Sequence, residues 1–308
     1  WSVPATVSVA QEGQVWYNST ANALKGFGKQ GTGAWSSGTD LNTARGHAGG
    51  VGTQTSAIVY GGSLGPPGRT DVVEEYDGTT WTEKNNMLAA RDVFAAMGTQ
   101  ALALAAGGEP GTTAATETWD GTSWSEVNDL NESKAKLEAF GTTSSGMGAG
   151  GNPASYFKSA ESWDGTCWTT ETALSSVHSA GGAAGTSNTS GIVFGGEHPP
   201  TVDTEEWNGS TWTEKGNLNL ARYTVVGSGT ATAALCAGGT PNKAETELWD
   251  GTAWTEVADL AAAGSAGGGT FNSSMASLFA GGYNRPATVV ASTEEWTIPD
   301  AIKTFTAS

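Results

Sequence analysis

A block of about 44 residues recurs along this chain, and that repetition limits its fold more than any other feature. A Gly-Gly pair stands at Gly61-Gly62, Gly107-Gly108, Gly150-Gly151, Gly195-Gly196, Gly238-Gly239 and Gly281-Gly282. A Glu-x-aromatic motif follows each pair, its aromatic 10 to 14 residues after the second Gly, and then come Asp/Asn-Gly-Thr/Ser and Trp. The copies read EEYDGTTW at 74–81, ETWDGTSW at 117–124, ESWDGTCW at 161–168, EEWNGSTW at 205–212 and ELWDGTAW at 247–254. The sixth stops after Glu294-Glu295-Trp296. Ten residues after each second Trp comes Arg91, Lys134, His178, Arg222 or Gly264, and the next Gly-Gly begins 16 or 17 residues later.

Each element reads as strand or turn. Ser56–Tyr60, Leu102–Leu104, Gly191–Phe194 and Ser277–Phe279 are short apolar runs ended by Gly-Gly, the pattern of a buried strand with a breaker. Asp-Gly or Asn-Gly between two aromatic segments signals a hairpin turn, because Gly takes the positive φ the turn requires. The basic residue then opens a Gly/Ala-rich strand. Four short strands per repeat describe a propeller blade. With 45 Gly among 308 residues, and a 3.6-residue period visible only near 133–140, helices are a poor alternative. The fixed spacing makes 133–140 an inner strand.

On these residues the chain resembles the kelch-repeat β-propeller family over about 31–298. The resemblance implies an all-β fold, and six copies make it a six-bladed β-propeller. The sixth copy lacks its Trp segment, and Gly31–Trp35 supplies one, since Trp35 lies ten before Arg45 as Trp81 lies ten before Arg91. The N-terminal strand should therefore be the outer strand of the last blade and remove the free sheet edges. The expected organisation is an N-terminal hairpin or attachment segment at 1–30, the propeller at 31–298 and a tail at 299–308. Residue 1 is Trp rather than Met, so a fragment or processed product is expected.

Residues that recur in every repeat are scaffold first, because an active site needs one set only. Glu74, Glu117, Glu161, Glu205, Glu247 and Glu294 should pair with Arg45, Arg91, Lys134, His178 and Arg222. Trp119, Trp163, Trp207, Trp249 and Trp296, with Tyr76, should pack between neighbouring sheets. Trp35, Trp81, Trp124, Trp168, Trp212 and Trp254 should cover the outer strands.

Chemistry is thinly represented. His47 and His178 belong to the repeat frame. No nucleophile elbow, phosphate loop or calcium loop is present. Some kelch-type propellers hold copper through His and Tyr ligands with a crosslinked Cys, and no such cluster stands here. Neither a cofactor nor a metal is expected, and the reading is non-enzymatic. Cys167 and Cys236 lie in different repeats, so no disulfide is expected. With Lys+Arg 14 against Asp+Glu 31, the net charge of −17 disfavours nucleic acid. No stretch nears the roughly 18 apolar residues of a spanning helix, and membrane insertion is not expected.

One gap varies, the loop after each Gly-Gly. Variation between repeats gathers on loops of one face, often the binding face. Eight of the 10 Pro lie in these loops, stiffening them. The same loops carry Arg69, Tyr156, Phe157, Lys158, His198, Lys243, Tyr283 and Arg285, the candidate ligand contacts for glycan stacking or carboxylate recognition.

Residues 11–27 read as strand, polar turn and strand. They resemble a short module of tailed-bacteriophage structural proteins in Gly13, Trp16, Tyr17, Asn18, Thr20, Leu24, Lys25, Gly31 and Trp35. Phage virion proteins with tandem WDGTxW kelch-like units resemble the whole chain. That resemblance implies a non-catalytic virion component (tail fibre, spike or surface decoration) assembled in the bacterial host cytoplasm. It would bind a host cell-surface glycan or protein through the Pro-rich loop face, and other virion proteins through the N-terminal segment. The alternatives are a kelch-type protein–protein adaptor unrelated to a virus and a carbohydrate-active or oxidase enzyme.

Overall fold

A computed structural model describes residues 14–18, 23–29, 31–153, 158–241, 243–269, 273–284 and 288–305, the last four of these through their backbone. The described residues contain no helix, and six of their sheets are four-stranded and antiparallel. This is the architecture of a β-propeller. In chain order, the first sheet holds Gly49–Thr53, Ser56–Tyr60, Val73–Tyr76 and Trp81–Lys84. The second holds Ala95–Gly98, Ala103–Ala106, Thr116–Trp119 and Trp124–Val127. The third holds Glu138–Thr142, Ser145–Ala149, Ala160–Trp163 and Trp168–Thr170. The fourth and fifth repeat the plan from Gly182–Ser187 to Trp212–Glu214 and from Val226–Thr230 to Trp254–Glu256. The sixth joins Gly268–Gly269, Ala276–Ala280 and Thr293–Thr297 to Ala34–Ser37 from the start of the chain. Trp35 lies opposite Trp296 in that pairing.

The core is a series of apolar layers between sheets. Trp119 and Trp124 pack with Tyr60, Val73 and Met87 of the first sheet and its exit loop. Trp207 and Trp212 pack on Phe140 and Met147 of the third. Tyr76 and Trp81 of the first pack on Leu278 and Ala280 of the sixth. The second Trp of each repeat does not cover the outer strand. Trp119 pairs directly with Trp124, and Trp163 with Trp168. Residues directly opposite in an antiparallel ladder point to the same face. Both indoles therefore enter the layer between sheets, and Trp81, Trp124, Trp168, Trp212 and Trp254 are only 5–7% exposed. Trp35, at the ring closure, is half-buried. The layers are completed by Leu41, Met87, Leu130, Leu174, Leu218 and Leu260, each buried and each six residues after a second Trp.

The repeated charges lie inside single sheets. Arg45 reaches Glu74 at 2.6 Å, Arg91 Glu117 at 2.8 Å, Lys134 Glu161 at 3.0 Å, His178 Glu205 at 3.5 Å and Arg222 Glu247 at 2.9 Å. The carboxylates also accept backbone N–H groups of the loop entering the sheet, such as Asn42 and Thr43 on Glu74. The pair thus fastens each entry loop to the third strand. Where Gly264 replaces the base, Glu294 keeps its two backbone donors, Ala261 and Ala262. The Phe279 ring takes the space instead, 3.3 Å from where a Gly264 Cβ would sit.

Gly-Gly joins each sheet to the next. The second Gly donates its N–H to the carbonyl of the following basic position, Gly62 to Arg91 at 2.8 Å and Gly108 to Lys134 at 2.9 Å, through to Gly282 to Arg45 at 2.7 Å. At the first pair φ is +61° and +109°. A Cβ on Gly61 would stand 2.8 Å from the Arg91 carbonyl oxygen, so only Gly fits.

Outside the repeat, Val15–Asn18 pairs antiparallel with Ala23–Lys29. The segment 299–308, expected as a tail, contains the strand Asp300–Phe305, which pairs along Ala23–Lys29 as a third strand.

Candidate functional site

Two residues after each basic position the chain turns into the left-handed region. His47, Val93, Lys136, Ala180, Thr224 and Ala266 have φ between 49° and 58°. Their backbones form a closed cycle of hydrogen bonds. His47 donates to Ala266 at 2.7 Å, Val93 to His47 at 3.1 Å, Lys136 to Val93 at 2.6 Å, Ala180 to Lys136 at 2.9 Å, Thr224 to Ala180 at 2.5 Å and Ala266 to Thr224 at 2.8 Å. Left-handed backbone costs a non-Gly residue about 1–3 kcal/mol, most for β-branched ones such as Val93 and Thr224. A chain so rich in Gly puts side chains at all six places. Those side chains are what the strain holds in position.

Five members of the ring, all but Ala266, floor a cavity of about 690 Å³. Its wall comes from the loops after Gly-Gly: Pro66, Glu197, Thr240, Pro241, Tyr283 and Asn284. These loops stand over the ring because their first residue is bridged to the residue before it: Ser63 to Gly46, Glu109 to Asp92, Asn152 to Ala135, Thr240 to Tyr223 and Tyr283 to Ser265. The longest loops, in the first and sixth sheets, form small hairpins, Ser63–Gly65 with Gly68–Arg69 and Tyr283–Asn284 with Thr288–Val289. They raise the wall on one side. Beneath the ring two smaller cavities, about 120 and 110 Å³, follow the axis between the inner strands.

The mouth mixes ring faces with charged and hydroxyl groups. Tyr283 and His47 lie with ring centroids 5.0 Å apart at 52°. Lys136 Nζ is 2.5 Å from Glu197 Oε1, and His198 Nε2 is 2.8 Å from the same oxygen. Thr224 and Thr240 share a hydroxyl–hydroxyl bond of 2.8 Å. Burial lowers the His47 pKa and Lys136 lowers it further, against the pull of Asp92 and Glu197. His47 is thereby held toward its neutral form, in which one ring nitrogen donates and the other accepts.

Of the loop residues chosen from sequence, Tyr283 lines this cavity and His198 reaches it through Glu197. Arg69 is held by Asp92 at 2.7 Å, Lys243 by Glu245 at 3.6 Å, and Lys158 donates to the Ser175 carbonyl. Tyr156, Phe157 and Arg285 lie outside the described residues. The described candidates therefore do not converge as a set. Sequence reasoning missed Lys136, Tyr223 and Thr224, and assigned His47 to the frame. The available signal was a fixed place, two after the basic residue, that holds five different residue types over the six repeats.

No family model and no curated protein matches this chain. Among solved structures it is similar to the one titled "Structure of YjhT", with a TM-score of 0.69 at 12% identity, covering 86% of this chain and 99% of that one. At that identity the similarity concerns the fold.

Proposed function

We propose that this chain is a non-catalytic recognition module, a six-bladed propeller that holds a saccharide unit of a bacterial surface glycan in its axial mouth. The observation that carries the reading is the left-handed ring of the repeated scaffold, of which His47, Val93, Lys136, Ala180 and Thr224 present unlike side chains to one cavity. Six blades are supported by the closed backbone cycle and by the Gly282–Arg45 bond that joins the last repeat to the first. The cavity volume suits a small ligand. Tyr283, Tyr223 and His47 offer ring faces and edges, while Thr224, Thr240, Asn284 and Lys136 offer hydroxyl, amide and ammonium partners. That mixture suits a polyol. Glycoside hydrolysis uses two carboxylates across one bond. The carboxylate among the lining residues, Glu197, is held by Lys136 and His198, which favours binding over turnover. The WDGTxW repeats and the N-terminal motif support a place on a tailed-phage particle, with the N-terminal sheet facing other virion proteins.

The test is binding of labelled protein to a panel of bacterial cells and purified surface polysaccharides, beside His47→Ala and Tyr283→Ala. Selective binding that falls at least tenfold in both variants, with unfolding midpoints retained, is the expected result. Binding equal in all three proteins, or to no cell or glycan, would reject the reading.

A further inference from the structure

A large side chain packs into some of the seams between neighbouring inner strands. Between the first and second sheets it is Phe94, whose ring would meet a Cβ on Gly49 at 2.5 Å. Between the fourth and fifth it is Val225, over Gly182. Between the third and fourth, Gly181 stands at the place of Phe94 and Val225 and leaves a gap. Glu138 fills it, where the other sheets have Gly49, Ala95, Gly182, Val226 and Gly268.

A carboxyl group is a costly filler. Glu138 is 2% exposed. Its Oε1 accepts the Gly181 N–H at 2.5 Å, and its Oε2 has no hydrogen-bond partner. Cβ atoms on Gly150 and Gly181 would meet these oxygens at 2.6 and 2.9 Å, so the glycines make its room. The same seam is the one whose basic position is a histidine. His178 Nδ1 lies 2.9 Å from the Gly195 carbonyl and Nε2 3.5 Å from Glu205. The other charges around the pair are Glu197, held by Lys136 and His198 at the loop above, and the Lys134–Glu161 pair of the same sheet. The inner strand Gly182–Ser187 facing Glu138 carries no charge.

We propose that Glu138 and His178 form a proton-binding site that sets how tightly the third and fourth sheets close on each other, so that the ring is firmer in mild acid than in alkali. With Glu138 protonated and His178 charged against Glu205, the seam is neutral. Loss of either proton leaves a buried negative charge without a counterion. Burial raises Glu138 to about 7 from 4.5, against the pull of His178. Burial opposes the His178 charge, but the nearby Glu205 and Glu138 carboxylates overcome it and raise its pKa above 6.5. The signs agree. A carboxyl raised in the folded state loses stability as pH climbs from its unfolded to its folded value. A raised histidine contributes fully below 6.5 and loses its contribution as pH passes its folded value.

The experiment is urea unfolding from pH 5 to pH 8 for the wild type, Glu138→Gln and Glu138→Ala, the last being the residue of the second sheet. The wild-type unfolding constant, relative to either variant, should rise about tenfold per pH unit up to pH 7 and then level off. Hydrogen exchange over residues 178–183 should lose protection in the wild type between pH 5 and pH 7, beyond the change in intrinsic rate, and not in the variants. Parallel pH profiles in folded wild type and variants would overturn the proposal. So would exchange at the seam that does not change with pH while global stability does.

Discussion

Trp35 and Trp296, from opposite ends of the chain, face each other across the strand pair that completes the sixth sheet, with ring centroids 5.5 Å apart and planes at 51°. Trp35 also donates from Nε1 to Thr246 Oγ1 of the fifth sheet at 2.9 Å. The closing strand therefore holds two sheets. Trp35→Ala should lower stability by about 3 kcal/mol, the low end for aromatic truncation because Trp35 is half-buried. Removal of residues 1–37 would bare the edge of Thr293–Thr297, and bare edges pair with other chains. Sedimentation should then show self-association, and a monodisperse truncated monomer would contradict this account of closure.

The sixth sheet uses Phe279 where the others use a base. Gly264→Arg alone should destabilise by about 1–3 kcal/mol, because its Cβ already touches the Phe279 ring. Gly264→Arg combined with Phe279→Val, the residue of the first sheet at that place, should recover most of the loss by pairing with Glu294. A double-mutant cycle in urea reads the coupling. Additive effects would mean that the space is not shared.

Four hairpin turns carry an aspartate held below its usual pKa. Backbone N–H groups of the third and second residues onward are the cause, Thr80 and Thr79 on Asp77, with the same arrangement at Asp120, Asp164 and Asp250. The fourth sheet has Asn208, which accepts N–H groups of Ser210 and Thr211 at 3.0 Å each. Depressed carboxylates stabilise above 3.8 and lose that contribution as pH falls through the lower folded value. A variant with all four changed to Asn should be less stable than the wild type at pH 7, and the gap should vanish by about pH 2. An equal gap at both pH values would refute the mechanism.

The axial ring stores strain in its β-branched members. Val93→Gly should therefore raise stability by about 1 kcal/mol, against the usual cost of Gly, since φ is already +49°. Calorimetry decides the sign. A loss of stability would show that the Val93 side chain contributes more by packing than its backbone costs.

Much of the scaffold was legible because it is written in every repeat. Gly62, Asp77 and Glu74 each serve a local geometry that five or six copies share, so spacing alone exposed them. The second Trp was misplaced because two residues five apart can lie on one face or two, and the hairpin register decides which. Asp300–Phe305 escaped because its partner, Ala23–Lys29, is distant in sequence and occurs once. Among the loop candidates, Tyr283 reaches the mouth and Lys243 turns back to its own neighbour. Residue type told nothing about direction.

The sequence by itself determined the repeat, the turn chemistry, the Glu–Arg frame and the strand that completes the last sheet. Each is a contact within one repeat or between equivalent places, and so leaves a periodic trace. Only the tertiary structure decided what meets at the axis. His47, Lys136 and Thr224 come together there, and Glu138 comes to His178, because closing the sheets into a ring brings one residue from each repeat to a common centre. The spacing marks the axial place, two after the basic residue, but the side chains there share no pattern and Glu138 has no counterpart in the other repeats, so the sequence does not say what they meet.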